Sequence, residues 1–402
     1  MPKHAIAAGT AFVLCAGPAL ADLTAQQIWT DWQQVYAAMG TTVTAESETF
    51  SNGVLSLTGV TTSAVLGDIE SRSNFGSLSL VEQGDGTVRI DLPPSMTLET
   101  VTEGSGETLR QSVVMETTGW SAIVSEAGEG RVYDISADEL SYVFTDISGG
   151  EEATPVGGRL SLAGIDSTAT STPDGDRLAL DQTLTADGMT LTVAATGDSA
   201  FDLSYVLAGL ASRGVGTLDL ANIPSATSLS AMGLLFAGDL EHSGSTIAMT
   251  VESESGPVAV NGTSGAGRIA FDIGADTLAY TLSSTDAQLA VQLASFPVPL
   301  NLSMAEVTSG FTLPVGVSDT PKPFGLSLAY REIAVDDALW SLFDPTGQLP
   351  RDPATILLDL SGTALMLVDL FGGDPEAIAS AGAPGELKTM DLNQLQVSLA
   401  GA

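Results

Sequence analysis

Apolar and polar residues alternate along most of the chain from about residue 43 onward, in short segments separated by Gly, Asp, Asn, Ser and Pro. Alternation with a period of two gives a strand one apolar and one polar face, which is typical of antiparallel sheets. Leu140, Tyr142 and Phe144 illustrate the pattern and should point inward. Further segments of this kind are 54–57, 88–92, 177–180 and 189–193. The sequence therefore predicts an all-β fold.

Three Asp-Gly pairs interrupt the alternation and predict hairpin tips. They are Asp85 with Gly86, Asp174 with Gly175, and Asp187 with Gly188. Both residue types tolerate the positive φ angles that a two-residue hairpin requires. Each pair is therefore expected to connect two neighbouring strands.

The stretch after residue 22 has a different period and predicts an amphipathic helix. Thr24 and Gln27 form a capping-box pattern, and apolar residues then recur at helical spacing until Gly40. We expect Trp29, Trp32 and Tyr36 to pack the helix over one end of a sheet. Its polar face has no Lys or Arg, which argues against a membrane-surface helix.

The C-terminal part predicts a mixture of short elements. A helix is expected at 336–343, a strand at 355–360 and a final strand at 390–399, with a short helix capped by Asp374 and Pro375 between them. The prolines of the 344–353 loop restrict their own φ angles and the residues before them.

Two segments of the chain resemble each other and predict an internal duplication. Gly130, Arg131, Asp134, Ile135, Ala137, Asp138, Leu140 and Tyr142 correspond to Gly267, Arg268, Asp272, Ile273, Ala275, Asp276, Leu278 and Tyr280. If both copies descend from one unit, they should occupy equivalent places, with Tyr142 and Tyr280 on the buried face and Asp138 and Asp276 at matching turns.

The repeated charged residues are Arg131 with Asp134 and Arg268 with Asp272. One interpretation is a symmetric anion-binding pair, because the guanidinium offers a fork for carboxylates. The other is a cross-strand ion pair at the rim of each sheet. The sequence favours the structural interpretation.

These patterns predict internally duplicated antiparallel sheets that form a long, curved, largely open β structure with a few short capping helices. The expected organisation is a signal peptide at 1–21, a first β unit at 22–207, a connection at 208–232 and a second β unit at 233–402. The irregular sequence around Pro224 motivates the connection.

The first residues predict export. Lys3 and His4 precede an apolar run at 5–17, and residues 19–21 have the sequence Ala-Leu-Ala, which a signal peptidase reads. The mature chain should begin at Asp22, without a transmembrane helix. This indicates the periplasm of a Gram-negative bacterium or the extracellular space.

The composition of the chain excludes some classes of binding partner. The chain has 13 Lys and Arg against 49 Asp and Glu, and a formal net charge of −36. Nucleic acid and anionic lipid headgroups would be repelled by this field. The acidity is interpreted as keeping an apolar-rich exported protein in solution.

Few residues of the chain are candidates for a catalytic or metal-binding role. The chain has 2 His and 1 Cys, and after cleavage only His242 would remain of them, so a metal site built from several imidazoles or thiolates is excluded. His242 is expected in a solvated loop. The glycine pairs at 128–130 and 265–267 precede predicted strands and lack the spacing of a phosphate-binding loop. No catalytic, cofactor-binding or metal-binding residue is predicted.

Several motifs are similar to a known family. They are WSLFDP at 340–345, LPRDPAT at 349–355, LDLSG at 358–362, PGEL at 384–387, AGA at 400–402 and DLTA at 22–25 with Trp29 and Trp32. Together they resemble Domain of Unknown Function 2125, a family of secreted alphaproteobacterial proteins. The resemblance implies an exported Gram-negative protein and implies no activity.

Two functional hypotheses follow. The first is a non-catalytic exported β protein whose concave apolar face binds a lipid, another apolar ligand or the edge strand of an envelope partner. The second is a carboxylate-dependent hydrolase of envelope polysaccharide, which only the location and the acidity motivate.

Overall fold

The computed structural model describes residues 22–66, 69–104, 107–148, 156–197, 200–222, 233–253, 256–274, 276–296, 298–369 and 383–399. Within these ranges 21 strands belong to one antiparallel sheet, accompanied by two helices. The helices are α1 Ala25–Ala38 and α2 Asp337–Phe343. The strands are β1 Thr41–Thr44, β2 Ser47–Ser51, β3 Val54–Leu66, β4 Ile69–Glu82, β5 Val88–Asp91, β6 Ser95–Gly104, β7 Glu107–Thr118, β8 Ser121–Ala127, β9 Gly130–Ser148, β10 Val156–Asp174, β11 Arg177–Ala195, β12 Phe201–Asp219, β13 Leu235–His242, β14 Gly244–Val251, β15 Val258–Ser264, β16 Gly267–Ile273, β17 Thr277–Leu293, β18 Leu300–Pro314, β19 Lys322–Val335, β20 Ala354–Met366 and β21 Gly385–Ser398. The all-β prediction is confirmed.

The sheet is a meander in which each row of strands pairs with the row that follows it along the chain. Some rows of the sheet hold two strands placed end to end. The rows are 1 (β1 and β2), 2 (β3), 3 (β4), 4 (β5 and β6), 5 (β7 and β8), 6 (β9), 7 (β10), 8 (β11), 9 (β12), 10 (β13 and β14), 11 (β15 and β16), 12 (β17), 13 (β18), 14 (β19), 15 (β20) and 16 (β21). Rows 1 and 16 pair on one side only among the described strands, so the sheet is open.

Helix α1 covers the first rows, as the sequence predicts. The Thr24 hydroxyl accepts from the Gln27 amide N–H while the Gln27 side chain accepts from the Thr24 amide, which completes the capping box. Ile28, Trp29 and Trp32 are buried among Leu57, Leu80, Val88 and Val124 of the sheet. This is the largest apolar core of the described chain.

A line of backbone irregularities crosses the sheet from row 1 to row 14, and we call it the crease. Residues on the crease with positive φ are Gly59, Gly76, Gly119, Gly164, Gly209, Asp286 and Glu332. At four of them a side chain of the neighbouring row lies over the glycine, so that a Cβ there would overlap Glu46, Asp138, Asp187 or Ser243. Pairing from β9 to β12 resumes in the same register beyond the crease, because each strand carries one additional residue there.

The crease shifts the alternation of side chains by one residue. Residues i and i+3, instead of i and i+2, therefore face the same side across it. The pairs are Leu57 and Val60, Phe75 and Leu78, Thr117 and Trp120, Ala137 and Leu140, Leu162 and Ile165, Ala186 and Met189, Leu207 and Leu210, His242 and Ser245, Ser264 and Gly267, Ser284 and Ala287, Met304 and Val307, and Tyr330 and Ile333. We call this the inner face, and the opposite side the outer face.

The sheet bends at the crease towards the inner face. The inner residues next to it in rows 6 to 9 are buried, and they are Ala137, Ile165, Ala186 and Leu210. The outer residues next to it are exposed, and they are Ala163, Asp166, Thr185 and Ala211. No described helix residue belongs to the cluster that these four inner residues form, so we attribute this difference to the two sides of the bend.

One predicted hairpin is wrong. Asp85 with Gly86 and Asp174 with Gly175 do connect β4 to β5 and β10 to β11. Asp187 and Gly188 instead lie inside β11, where the Asp187 side chain lies over Gly164 of the neighbouring strand β10. An Asp-Gly pair tolerates a turn, but pairing with β10 and β12 on both sides keeps this segment extended.

The two similar segments do not occupy equivalent places, and this part of the duplication hypothesis is wrong. The first is a single strand, β9, with Asp138 at the crease. The second is the hairpin of β16 and β17, with Asp276 in its turn. Tyr142 and Tyr280 both lie on the inner face, as expected, but on opposite sides of the crease. Local sequence similarity specifies extended backbone, whereas pairing partners decide whether it continues or turns.

Other predicted boundaries differ in detail. Residues 208–219 of the predicted connection belong to β12, and 223–232 lie outside the described residues. The predicted helix at 336–343 is α2, with Asp336 as its N-cap. The predicted strands near the end are β20 and β21. The signal peptide and the helix at Asp374 also lie outside the described residues.

Candidate functional site

The inner face of rows 7 to 16 is a continuous apolar surface, which we call the apolar trough. Register places an apolar side chain at most of its positions on both sides of the crease. Among them are Leu160, Leu191, Leu203, Met249, Val260, Leu289, Leu302, Phe311, Leu328, Leu358 and Leu395. Lys322 is the one described charged residue in these positions, at the rim, where its Nζ is 2.6 Å from Asp276.

At the first rows of the trough, apolar side chains from the two sides of the crease pack against each other. Leu184 and Leu240 on one side of the crease pack in the same cluster as Leu140, Leu162 and Met189 on the other. The bend brings these side chains together without a second layer. They form a small core that fixes the angle between the two sides of the sheet.

The walls of the trough are half-buried in rows 10 to 14 and become exposed towards row 16. Phe236 stacks on Phe271 at 5.3 Å between ring centroids, and Tyr280 stacks on Phe311 at 5.6 Å. In β21 the inner side chains are more than half exposed, and they are Leu387, Met390, Leu392, Leu395 and Val397. These apolar side chains have no covering layer in the described chain.

His242 lies at the end of β13 and faces the trough, so its prediction as a solvated loop residue is wrong. Its imidazole lies against the Cα of Gly267 in the next row, where a Cβ would overlap it. Its Nδ1 is buried and has no hydrogen-bond partner among the residues that the structure describes. The glycine leaves room for a ring that a larger residue would exclude.

The helix-covered end contains a buried ion pair that the sequence did not predict. Arg131 is 1 % exposed, and its Nη2 lies 3.1 Å from Asp31 of α1 while its Nη1 lies 3.5 Å from Glu126. Burial raises the pKa of Asp31 to about 6, against the opposing effect of the Arg131 charge. The pair holds helix α1 against β9.

The two repeated arginines do not form a symmetric site. Arg131 faces the inner side, whereas Arg268 lies on the outer face with its side chain half exposed, near Asp239 at 3.6 Å and Glu241 at 3.4 Å. Each arginine has a cross-strand acidic partner, but that partner is not the predicted repeat residue. Asp134 instead accepts from the Thr168 hydroxyl at 2.9 Å, and Asp272 is exposed on β16.

The outer face carries most of the charge of rows 7 to 16. It also has two shallow depressions, of about 600 Å³ in rows 10 to 14 and about 430 Å³ in rows 9 to 12. The second contains Arg213 and Arg268, both paired with acids.

In the described ranges no three His, Cys, Asp or Glu side chains are placed to hold a metal ion. Neither described helix is long and apolar enough to cross a membrane.

Comparison with protein-family models, curated proteins and solved structures gives no match. The resemblance to Domain of Unknown Function 2125 therefore stays a prediction.

The trough itself could have been found from the sequence by one signal, the repeated i to i+3 step between apolar residues inside otherwise alternating strands. In β9, for example, Ile135 and Ala137 are two residues apart, but the next inner residue, Leu140, follows three residues later. An Asp, Ser or Gly often stands inside this longer step.

Proposed function

We propose that this chain is an exported protein of the Gram-negative cell envelope whose apolar trough binds the hydrocarbon chains of a lipid. One observation carries the proposal, which is an apolar inner face that continues across rows 7 to 16 and that no described part of the chain covers on its later rows. Monomeric soluble proteins rarely leave more than a few hundred Å² of contiguous apolar surface exposed, and larger surfaces usually mark binding sites.

The composition of the walls supports a flexible aliphatic ligand. Leu, Val, Ile and Met dominate the inner positions, and aromatic rings are concentrated in rows 10 to 14. Burying an apolar ligand there gains roughly 25 cal/mol for each Å² removed from water. Row 16 leaves the trough open at the β21 edge, and this supports entry of a ligand from that end.

The alternative, a carboxylate-dependent hydrolase, has less support. Such an enzyme needs two acidic side chains facing each other across a substrate cleft. In the described part of rows 7 to 16, register directs the acidic side chains of the strands to the outer face. The trough therefore offers a ligand apolar contacts and hydroxyl groups instead of paired carboxylates.

A pair of labelling sites tests the proposal. Leu328 and Ser327 are adjacent in β19 and face the inner and outer sides respectively. In a Cys15→Ser background, Leu328→Cys and Ser327→Cys would each give a single thiol for a polarity-sensitive fluorophore. Adding monopalmitoylglycerol should shift the emission of the label at 328 to shorter wavelength and leave the label at 327 unchanged, because only the first side contacts the ligand.

Lipid extraction of the purified full chain followed by mass spectrometry provides an independent measurement. Co-purifying acyl lipids in about stoichiometric amount are expected. A lipid-free extract, together with equal responses of the two labels, would refute binding in the trough.

A further inference from the structure

The floor of the apolar trough changes character in rows 10 to 12. In rows 7 to 9 the residues next to the crease are apolar, ending with Leu207 and Leu210. In the next rows they are His242, Ser245, Ser264, Gly267, Ser284 and Ala287, of which three are serine and one is histidine. In row 13 they become apolar again, with Met304 and Val307 opposite Ala287 and Ser284. A polar island therefore lies within an otherwise apolar surface.

The members of this island are neighbours across the sheet. His242 is paired with Gly267, and Gly267 is paired with Ser284 in the next row. Gly267 therefore lies between the two polar residues, and the His242 imidazole lies over this glycine. Across the crease, the hydroxyls of Ser245 and Ser264 are 2.7 Å apart and bonded to each other. Four side chains that can donate and accept hydrogen bonds thus lie at neighbouring register positions on the floor, in rows 10 to 12.

Two polar atoms of the island lack a partner. His242 Nδ1 and Ser284 Oγ are buried from water and have no hydrogen bond in the described chain. Buried polar atoms without partners are rare and costly, so each of these two atoms calls for an explanation.

We propose that this island binds the uncharged polar head of the lipid whose chains occupy the trough, with His242 and Ser284 as its hydrogen-bonding residues. The inference rests on the proposed function and specifies its ligand. An acylglycerol fits best, because its hydroxyl and ester groups match imidazole and hydroxyl partners. Phosphate or carboxylate would need a cation, and no Lys or Arg of the described inner face lies in rows 10 to 12. The net charge of −36 also disfavours anions.

Because both atoms are shielded in this structure, binding requires the head to displace the atoms that cover them. The environment of His242 must then change. His4 is the other histidine of the chain, so a His4→Gln background leaves one imidazole to observe. Its ring ¹⁵N resonances should shift when monopalmitoylglycerol is added and should stay unchanged with hexadecane, which has no polar head.

Substitutions separate the head site from the trough. His242→Leu and Ser284→Ala should each weaken monopalmitoylglycerol binding about tenfold, the effect of losing one or two hydrogen bonds. Both variants should bind hexadecane as the wild type does. Glu241→Gln and Ser283→Ala alter the adjacent outer-face residues and serve as matched controls, with no effect expected on either ligand.

The outcomes distinguish the two proposals. If the wild type binds neither ligand, the trough does not bind lipid and both proposals fail. If it binds both and the variants keep full affinity for monopalmitoylglycerol, only the head site is refuted. Tighter binding of palmitate or lysophosphatidic acid than of monopalmitoylglycerol would refute the uncharged head.

Discussion

At the scale of single residues, the crease depends on glycines that have room for a neighbouring side chain. Gly164 has φ +60°, and a Cβ there would overlap the Asp187 carboxylate. Both the backbone conformation and the space therefore require glycine. Asp286 and Glu332 adopt the same left-handed conformation with φ +50° and +54°, at a cost that glycine would avoid.

Replacing Gly164 with Ala should lower the free energy of unfolding by about 3 kcal/mol, from left-handed strain and overlap with Asp187 together. Gly175 is the matched control, because its φ is +62° and nothing lies within 4 Å of its Cβ position. Gly175→Ala should cost only about 1 kcal/mol. Urea denaturation of both variants measures the difference, and equal costs would show that Asp187 does not constrain the crease.

At the scale of elements, the docking of α1 combines apolar packing with the buried pair of Asp31 and Arg131. The Trp29 indole N–H also donates to Glu48 at 2.9 Å. Apolar burial supplies most of the stabilisation, because a buried ion pair loses hydration that its attraction only partly replaces. The pair of Asp31 and Arg131 instead makes the free energy of unfolding depend on pH.

The pKa of Asp31 is raised to about 6 in the fold, mainly by burial, whereas an unfolded Asp titrates near pH ~3.9. Folding therefore takes up a proton between these values. The stabilisation, on the order of 3 kcal/mol, is fully present below about pH 4 and is lost as the pH rises through about 6. Urea denaturation between these limits should show this slope in the wild type and not in Asp31→Asn.

Asp174→Asn is the control for that comparison, because Asp174 is exposed at the β10–β11 hairpin. It should keep the wild-type slope. A slope that survives in Asp31→Asn would show that another group takes up the proton.

At the scale of the whole molecule, the sheet is nearly one-dimensional. Each row pairs only with its neighbours, as in repeat proteins, and stability is then a sum of local terms. The buried apolar residues lie mostly in rows 1 to 9. After Leu210 the described chain has three, which are Val315, Leu357 and Met366. The trough therefore occupies the less stable end, where a ligand can supply the missing burial.

Native-state hydrogen exchange should reveal this gradient. Amides of β3, β4 and β8 beneath α1 should exchange slowest, and those of β20 and β21 fastest, with a difference on the order of a few kcal/mol in opening free energy. Bound lipid should slow exchange in rows 10 to 16 selectively. Uniform protection along all sixteen rows would contradict the gradient.

The sequence by itself determined the all-β class, helix α1 with its capping box, and the hairpins at Asp85 and Asp174. These features depend on periodicity and on local backbone preference, which a few adjacent residues specify. It also indicated that Tyr142 and Tyr280 face inward, since side-chain direction follows from alternation within each strand. An apolar surface as the candidate site could be predicted in the same way.

Only the tertiary structure decided how these elements combine. The crease requires Gly164 to meet Asp187 in another row, and nothing within either strand specifies that register. Arg131 finds Asp31 a hundred residues earlier in the chain, where Asp134 was the neighbour in sequence. The polar island likewise joins His242 to Ser284 through Gly267 of the row between them. Pairing across rows is a long-range property, and local preferences are compatible with several pairings.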